Sequence, residues 1–285
     1  MTISRRVRLL LIAPAVVALV LSFVLPMLSD LRLSLSGYDD IMGVQDTVTL
    51  DQYQAIFQDS TYLDAWLLTL RIAILSGLLT TLLGALISFG LWRLGGRTRS
   101  VVSTVVIAPL LVSGVVRAYG WIAVMGPAGL LPQLTGKLGL GEVTILYNEP
   151  AMVIGFVHAL LPYAILILLA SFDRIDPTLL RAAANIGARP AQAVRLVVLP
   201  LVYPGIFASV LLTFVMASAA YAVPAILGGA RQVTAATAIF QEQNVYLNWP
   251  AAAALALSLA VGTLLIMVAY QALTRRTTSR VEGHA

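Results

Sequence analysis

Residues 196–230, LVVLPLVYPGIFASVLLTFVMASAAYAVPAILGGA, run for thirty-five positions without one charged side chain. A hydrocarbon core about 30 Å thick needs about 20 apolar residues of helix to cross it. The stretch therefore holds a full transmembrane helix, read over 201–223. Working outward, the same test picks out five more spans, over 9–29, 70–92, 101–125, 150–172 and 251–273. These runs are continuous rather than alternating, which excludes the strands of a barrel. Composition agrees. Of 285 residues, 59% are hydrophobic and 11% charged, and the mean hydropathy is +0.91. An ordinary soluble domain carries about 25% charged residues, which clothe its surface. The reading is an all-α integral membrane protein with six transmembrane helices, one transmembrane domain over 1–285.

Several function classes fall at this stage. Disorder needs low hydrophobicity and high charge. Zero cysteines remove a disulfide scaffold, a thiolate metal site and a cysteine nucleophile. Two histidines, His158 and His284, give thin material for a metal site, so none is expected. The first span follows Arg5, Arg6 and Arg8, as a signal peptide would. Its 21 residues exceed the roughly 7–15 of a signal core, so it is expected to remain as helix one.

Loop charges set the expected orientation. With the N-terminus in the cytoplasm, thirteen of the eighteen cations face inward: Arg5, Arg6, Arg8, Arg93, Arg97, Arg99, Arg174, Arg181, Arg189, Arg195, Arg275, Arg276 and Arg280. Ten of the thirteen acids face outward: Asp30, Asp39, Asp40, Asp46, Asp51, Asp59, Asp64, Glu142, Glu149 and Glu242. Both termini are then cytoplasmic. The net charge of +5 is a topology signal on this reading, and no nucleic-acid partner is expected. In the first outer loop, residues 50–57 have helical spacing after Thr49.

The loop at 173–200, between helices four and five, has internal design. Asp176 is a good N-cap and Pro177 suits the first helical position. Leu179, Leu180, Ala183 and Ile186 fall on one face, and Gly187 fits a left-handed C′ residue. Arg189-Pro190 opens a second short helix with the same proline device, and Leu199-Pro200 leads into helix five. Two physical readings stand side by side. The loop is either an amphipathic pair lying among lipid headgroups or a rigid knob for a groove in a soluble partner. Small residues at 182–184 suit close approach to a partner.

The loop resembles the signature of the membrane subunits of binding-protein-dependent ABC importers, Glu-Ala-Ala, three residues, Gly, nine residues, Ile-x-Leu-Pro. Ala182, Ala183, Gly187, Val197, Leu199 and Pro200 fall at the family's offsets, with Ile186 beside the glycine and Arg181 in the glutamate position. The likeness extends to 51–57, to 70–73, to Arg117-Ala118-Tyr119, to Leu227-Gly228-Gly229 and to Asn248-Trp249-Pro250. These are similar to the spermidine/putrescine permease branch, whose relatives carry putrescine, spermidine, aminoethylphosphonate or ferric iron. The resemblance implies the type I ABC importer permease fold in a bacterial inner membrane. It implies a 173–200 loop that contacts an ATP-hydrolysing subunit through Arg181, Ala182, Ala183, Ile186, Gly187, Val197, Leu199 and Pro200. The implied partners are two ATPase subunits, a second permease subunit, a periplasmic or lipid-anchored substrate-binding protein and membrane lipid. ATP and Mg would sit on the ATPase subunits, with no cofactor on this chain.

The remaining features carry two readings each. No Gly-x-x-x-x-Gly-Lys-Ser/Thr phosphate loop occurs, so energy must come from another polypeptide and no catalytic residue is expected. Arg117, with Ser113, Tyr119 and Trp121 nearby, either lines a solute path or snorkels to the outer interface. Arg71 invites the same pair of readings, and His158 is a packing residue or a proton relay. On helix five, Ser209 and Thr213 share a face, as do Ser218 and Tyr221. That suits a water-lined path or helix–helix hydrogen bonds, and the path is preferred. Pro204 and Pro224 are either hinges or ordinary packing residues. The alternative function is a self-contained secondary transporter, which inverted repeats would support. None is evident here.

Overall fold

The computed structural model describes residues 5–141 and 143–282, with side chains over 11–141 and 143–274. Glu142, His284 and the side chains of Arg5, Arg6, Arg8, Arg275, Arg276 and Arg280 lie outside the described residues. The elements are α1 (Arg5–Leu19), α2 (Leu25–Ser34), β1 (Ser36–Asp39), β2 (Gly43–Val48), α3 (Asp51–Gln58), α4 (Ser60–Arg93), α5 (Gly96–Ile107), α6 (Gly114–Met125) and α7 (Leu130–Lys137). Then come α8 (Glu149–Phe172), α9 (Pro177–Asn185), α10 (Pro190–Ala193), α11 (Leu199–Ala219), α12 (Ala235–Asn244) and α13 (Trp249–Glu282). Among the described residues, 6 helical segments are long and apolar enough to cross a membrane. They are Leu11–Ser34, Ser60–Arg93, Gly114–Lys137, Glu149–Phe172, Pro190–Ala219 and Trp249–Thr274.

The six segments overlap the six expected ranges, the first reaching on to Ser34 and the second starting back at Ser60, and two others differ instructively. The third, expected as one helix over 101–125, is broken. Pro109 lacks a donor N–H, and the chain tightens into a 3-10 turn at Ala108–Leu111. Val112 and Ser113 then extend, at ψ 133° and 137°, before α6 restarts at Gly114. The fifth is longer than expected. The second short helix of the loop is not separate: α10 runs through a π turn (Val194–Val198) into α11, giving one segment, Pro190–Ala219. A π turn relocates the hydrogen bonds that Pro200 cannot make, so helix and proline coexist.

The chain divides into two compact units, one of residues 1–63 with 238–261 and one of 64–237 with 262–285. In the first, β1 and β2 form an antiparallel hairpin that the sequence reading did not anticipate. Tyr53 donates its hydroxyl to Ser34 Oγ at 2.8 Å, and Tyr38 donates to the Tyr246 carbonyl at 3.0 Å. The expected short helix at 50–57 is present as α3.

The second unit carries the packed core, built on α8 against α11. Without a hydrophobic drive between helices in lipid, such packing depends on close van der Waals fit, which small residues permit. A side chain on Gly84 would come within 2.9 Å of Ala164 Cβ, and one on Gly205 would collide with Ser171. Around these contacts sit Ala164, Leu168, Phe172, Val198 and Val202, all buried. A second cluster joins Ile72, Met125, Met152, Phe156, Phe214 and Leu227.

Candidate functional site

The loop after α8 folds as its residues dictate. Asp176 Oδ1 accepts the Thr178 N–H at 2.8 Å, capping α9. That bond holds the Asp176 carboxyl below its ordinary range. At the other end, the Ala188 N–H reaches the Ala183 carbonyl and the Gly187 N–H reaches that of Ala184, both at 3.0 Å. These two bonds form a Schellman motif, and Gly187 at φ +82° supplies its left-handed residue. Arg189 N–H then donates to Gln192 Oε1 at 2.8 Å and opens α10.

This geometry decides which side chains the loop shows. Ala183 is buried, while Arg181 and Ala182 are exposed and Ile186 is 86% exposed. The four residues read as one face thus divide. Leu180 packs inward with Ala183, and Leu179 and Ile186 point away. Val197 and Pro200 are half-buried and Leu199 is exposed. A groove of about 220 Å³ runs between α9–α10 and the end of α4, lined by Trp92, Leu180, Ala184 and Val194 among others. The same end is held by aromatic contacts among Phe89, Trp92 and Phe172, with centroids 5.8–6.1 Å apart. Arg99 pairs there with Asp173 at 2.6 Å. The loop is thus tied through α8 and α11 to the packed core.

The residues read as path candidates separate into two groups. Ser113 and Tyr119 are exposed, at and just after the break before α6. Arg117 is half-buried and gives Nη1 to the Ala159 carbonyl at 3.4 Å, while its Nε is buried without a partner. Trp121 donates Nε1 to His158 Nδ1 at 3.3 Å, ring edge to ring face. The imidazole is therefore a packing acceptor in this arrangement. Ser209, Thr213 and Ser218 are buried, and Tyr221 is 39% exposed. Ser209 meets Thr81 at 3.0 Å, Thr213 donates to the Ser209 carbonyl at 2.7 Å, and Ser218 donates to the Phe214 carbonyl at 3.0 Å. The Ser209 and Thr213 hydroxyls face a seam with α4, where Thr213 also lies 3.4 Å from the Gly77 carbonyl. Of the two readings of this face, Ser209 and Thr213 make the helix–helix contacts of one, to Thr81 and to the Gly77 carbonyl, while Ser218 bonds within its own helix. Ser76 and Thr80 lie buried on α4 without hydrogen-bond partners.

Two polar pairs escaped the sequence reading. Arg71 Nη1 meets Glu149 Oε1 at 2.9 Å, joining α4 to the start of α8. Tyr62 donates to the buried Glu242 carboxylate at 2.8 Å. Burial pushes the Glu242 carboxyl above its ordinary value, the tyrosine bond opposing and nearby Asp59 adding. Neither pair leaves a local motif, since the partners are far apart in the chain. Among the described residues, no group of 3 or more His, Cys, Asp or Glu side chains is placed to hold a metal.

Comparison with known proteins adds to this geometry. The model of the family described as "binding-protein-dependent transport system inner membrane component" matches residues 80–279. The spermidine/putrescine transport system permease protein PotB of Escherichia coli (strain K12) is 29% identical over 266 residues, 93% of this chain and 96% of that protein. The inner membrane ABC transporter permease protein YdcU of the same strain is 31% identical over 239 residues, covering 77% and 74%. Among solved structures, a bacterial alginate ABC transporter in complex with alginate pentasaccharide-bound periplasmic protein contains a chain with the same fold. It aligns at TM-score 0.81 and 18% identity, covering 95% of each chain.

Proposed function

The chain belongs to the family of binding-protein-dependent transport system inner membrane components, and from that premise we propose the solute it carries and the subunits it meets. It is the permease subunit of a binding-protein-dependent ABC importer, a multi-pass protein of the bacterial inner membrane. Its solute is a polyamine such as putrescine or spermidine, or a related aminoalkyl compound such as aminoethylphosphonate. The observation that carries this is the likeness to PotB along nearly the whole chain. Charge supports it. With both termini cytoplasmic, the outer side holds ten acids against Arg32, Arg71, Arg117, Lys137 and Arg231. That excess of negative charge raises the local concentration of a cation.

Two ATPase subunits, a second permease subunit and a substrate-binding protein complete the importer. ATP and Mg bind the ATPases, not this chain. The exposed face of α9, led by Ile186 and Arg181, seats in an ATPase groove. Closure of the ATPases on ATP draws the two knobs together. The motion passes through the continuous Pro190–Ala219 helix into the core, and hydrolysis restores the resting state. Family membership disfavours a self-contained secondary transporter. The test is ATP-dependent uptake of labelled putrescine, spermidine and aminoethylphosphonate by the reconstituted complex with its receptor. Uptake of one of them is expected. Uptake of none, with another solute carried, would remove the substrate assignment.

A further inference from the structure

At the end of the second unit away from α9, a cleft of about 580 Å³ opens between α4 and the start of α8. Its walls include Leu75, Leu79 and Val153, and its polar groups are Asn148, Glu149 and Gln232. Glu149 is the first residue of α8, and Asn148 stands at the cap position without spending its side chain on the helix. The Glu149 carboxylate is bonded through one oxygen to one guanidinium nitrogen of Arg71. That partner is loosely held, its side chain 60% exposed against 31% for Glu149. An ion pair joined by a single hydrogen bond, with one partner largely exposed, is a weak tie that exchanges readily.

We propose that this cleft is a station for the ammonium end of an aliphatic amine, with Glu149 exchanging Arg71 for the substrate. The chemistry matches in three respects. A primary ammonium has three N–H donors and no acceptor. Glu149, Asn148 and Gln232 offer four side-chain oxygens, two of them on the carboxylate. The methylene chain of such an amine suits walls of leucine and valine, and water suits them poorly. Arg71 then has a function of its own. It neutralises Glu149 between substrates and competes the amine away after it has entered, so the station does not trap its cargo. The station rests on the polyamine reading and adds to it the residues that hold the charge.

The test compares Glu149→Gln, Arg71→Gln and the exchanged pair Arg71→Glu/Glu149→Arg, in the complete importer with its receptor in proteoliposomes, with putrescine as the probe. Losing a charged hydrogen-bond partner should raise the KM of Glu149→Gln about tenfold or more. Arg71→Gln removes the competitor, so its KM should fall below wild type while kcat falls with slower release. The exchanged pair restores an ion pair between α4 and α8 but puts a cation where the amine binds, so its KM should stay raised. If the pair were only a tether, both single variants would move uptake in the same direction and the exchanged pair would recover it; that pattern overturns the station while leaving the polyamine assignment intact. Absence of putrescine and spermidine uptake by the wild-type complex, with another solute carried, overturns both.

Discussion

Replacing Gly187 isolates one energy from all others. A Cβ built at this residue meets nothing within 4 Å, so no substitution there is opposed by a neighbour. What opposes it is the backbone, held at φ +82° by the two bonds that close α9. For an unbranched L residue that conformation costs about 1–2 kcal/mol, and a β-branched residue pays more. A cost of that size shifts a two-state population by a factor of about 5–30. Alanine should therefore loosen the α9–α10 joint, and valine should loosen it further. Asparagine, which tolerates the left-handed region, should stay close to glycine. The assay is receptor-stimulated ATPase activity of the assembled complex for Gly187→Asn, Gly187→Ala and Gly187→Val, with membrane insertion measured in parallel. Activity should fall in that order while insertion is unchanged. Equal activity for asparagine and valine would refute the backbone argument, and an early loss of insertion would place Gly187 in folding rather than coupling.

Three further outcomes follow from the same structure. The chain has no cysteine, so Asp40→Cys should be labelled by an impermeant thiol reagent from outside and Arg189→Cys should not; the reverse overturns the orientation. Arg181 stands exposed where the family carries glutamate, so Arg181→Glu should weaken assembly beyond Arg181→Ala if the ATPase presents an acid. Equal behaviour of the two, read by complex yield, would show that residue 181 makes no contact. Glu242 is buried with its carboxyl pushed above its ordinary 4.5. A raised carboxyl disfavours the folded state once pH climbs through the folded pKa, and this penalty disappears as pH falls through that value toward 4.5. Glu242→Gln, which can still accept from Tyr62, should raise the thermal midpoint at neutral pH and less at pH 4.5. A lower midpoint at neutral pH would mean that the ionised carboxylate itself holds the pair together.

What was legible in the sequence was whatever local chemistry settles alone. Gaps between charges gave the spans, because a charge is costly in hydrocarbon wherever the helix packs. The ends of α9 were legible because Asp176, Pro177 and Gly187 act on their own neighbouring backbone. Features that depend on a second element were not. Ser209 and Thr213 share one face, as a wetted path would ask, and only Thr81 and the Gly77 carbonyl on α4 show that this face meets a neighbouring helix. The break at Val112 and Ser113 was hidden because membrane helices often carry prolines without breaking. The hairpin at Ser36–Val48 lacks a strong turn dipeptide, its loop being Asp40-Ile41-Met42. The Arg71–Glu149 pair links residues 78 apart, a distance across which no periodicity reaches.

The most direct test of the central claim, that α9 delivers the work of an ATPase to this permease, is a cross-link from residue 186. Ile186 is 86% exposed and belongs to no cluster in the core, so Ile186→Cys places a lone thiol on the free face of α9. A short bifunctional reagent applied to the assembled importer should join it to a polypeptide that sequencing identifies as an ATPase, and the yield should change between ATP-bound and nucleotide-free states. Efficient labelling of the thiol with no ATPase cross-linked in either state would contradict the account and return the loop to the lipid headgroup layer.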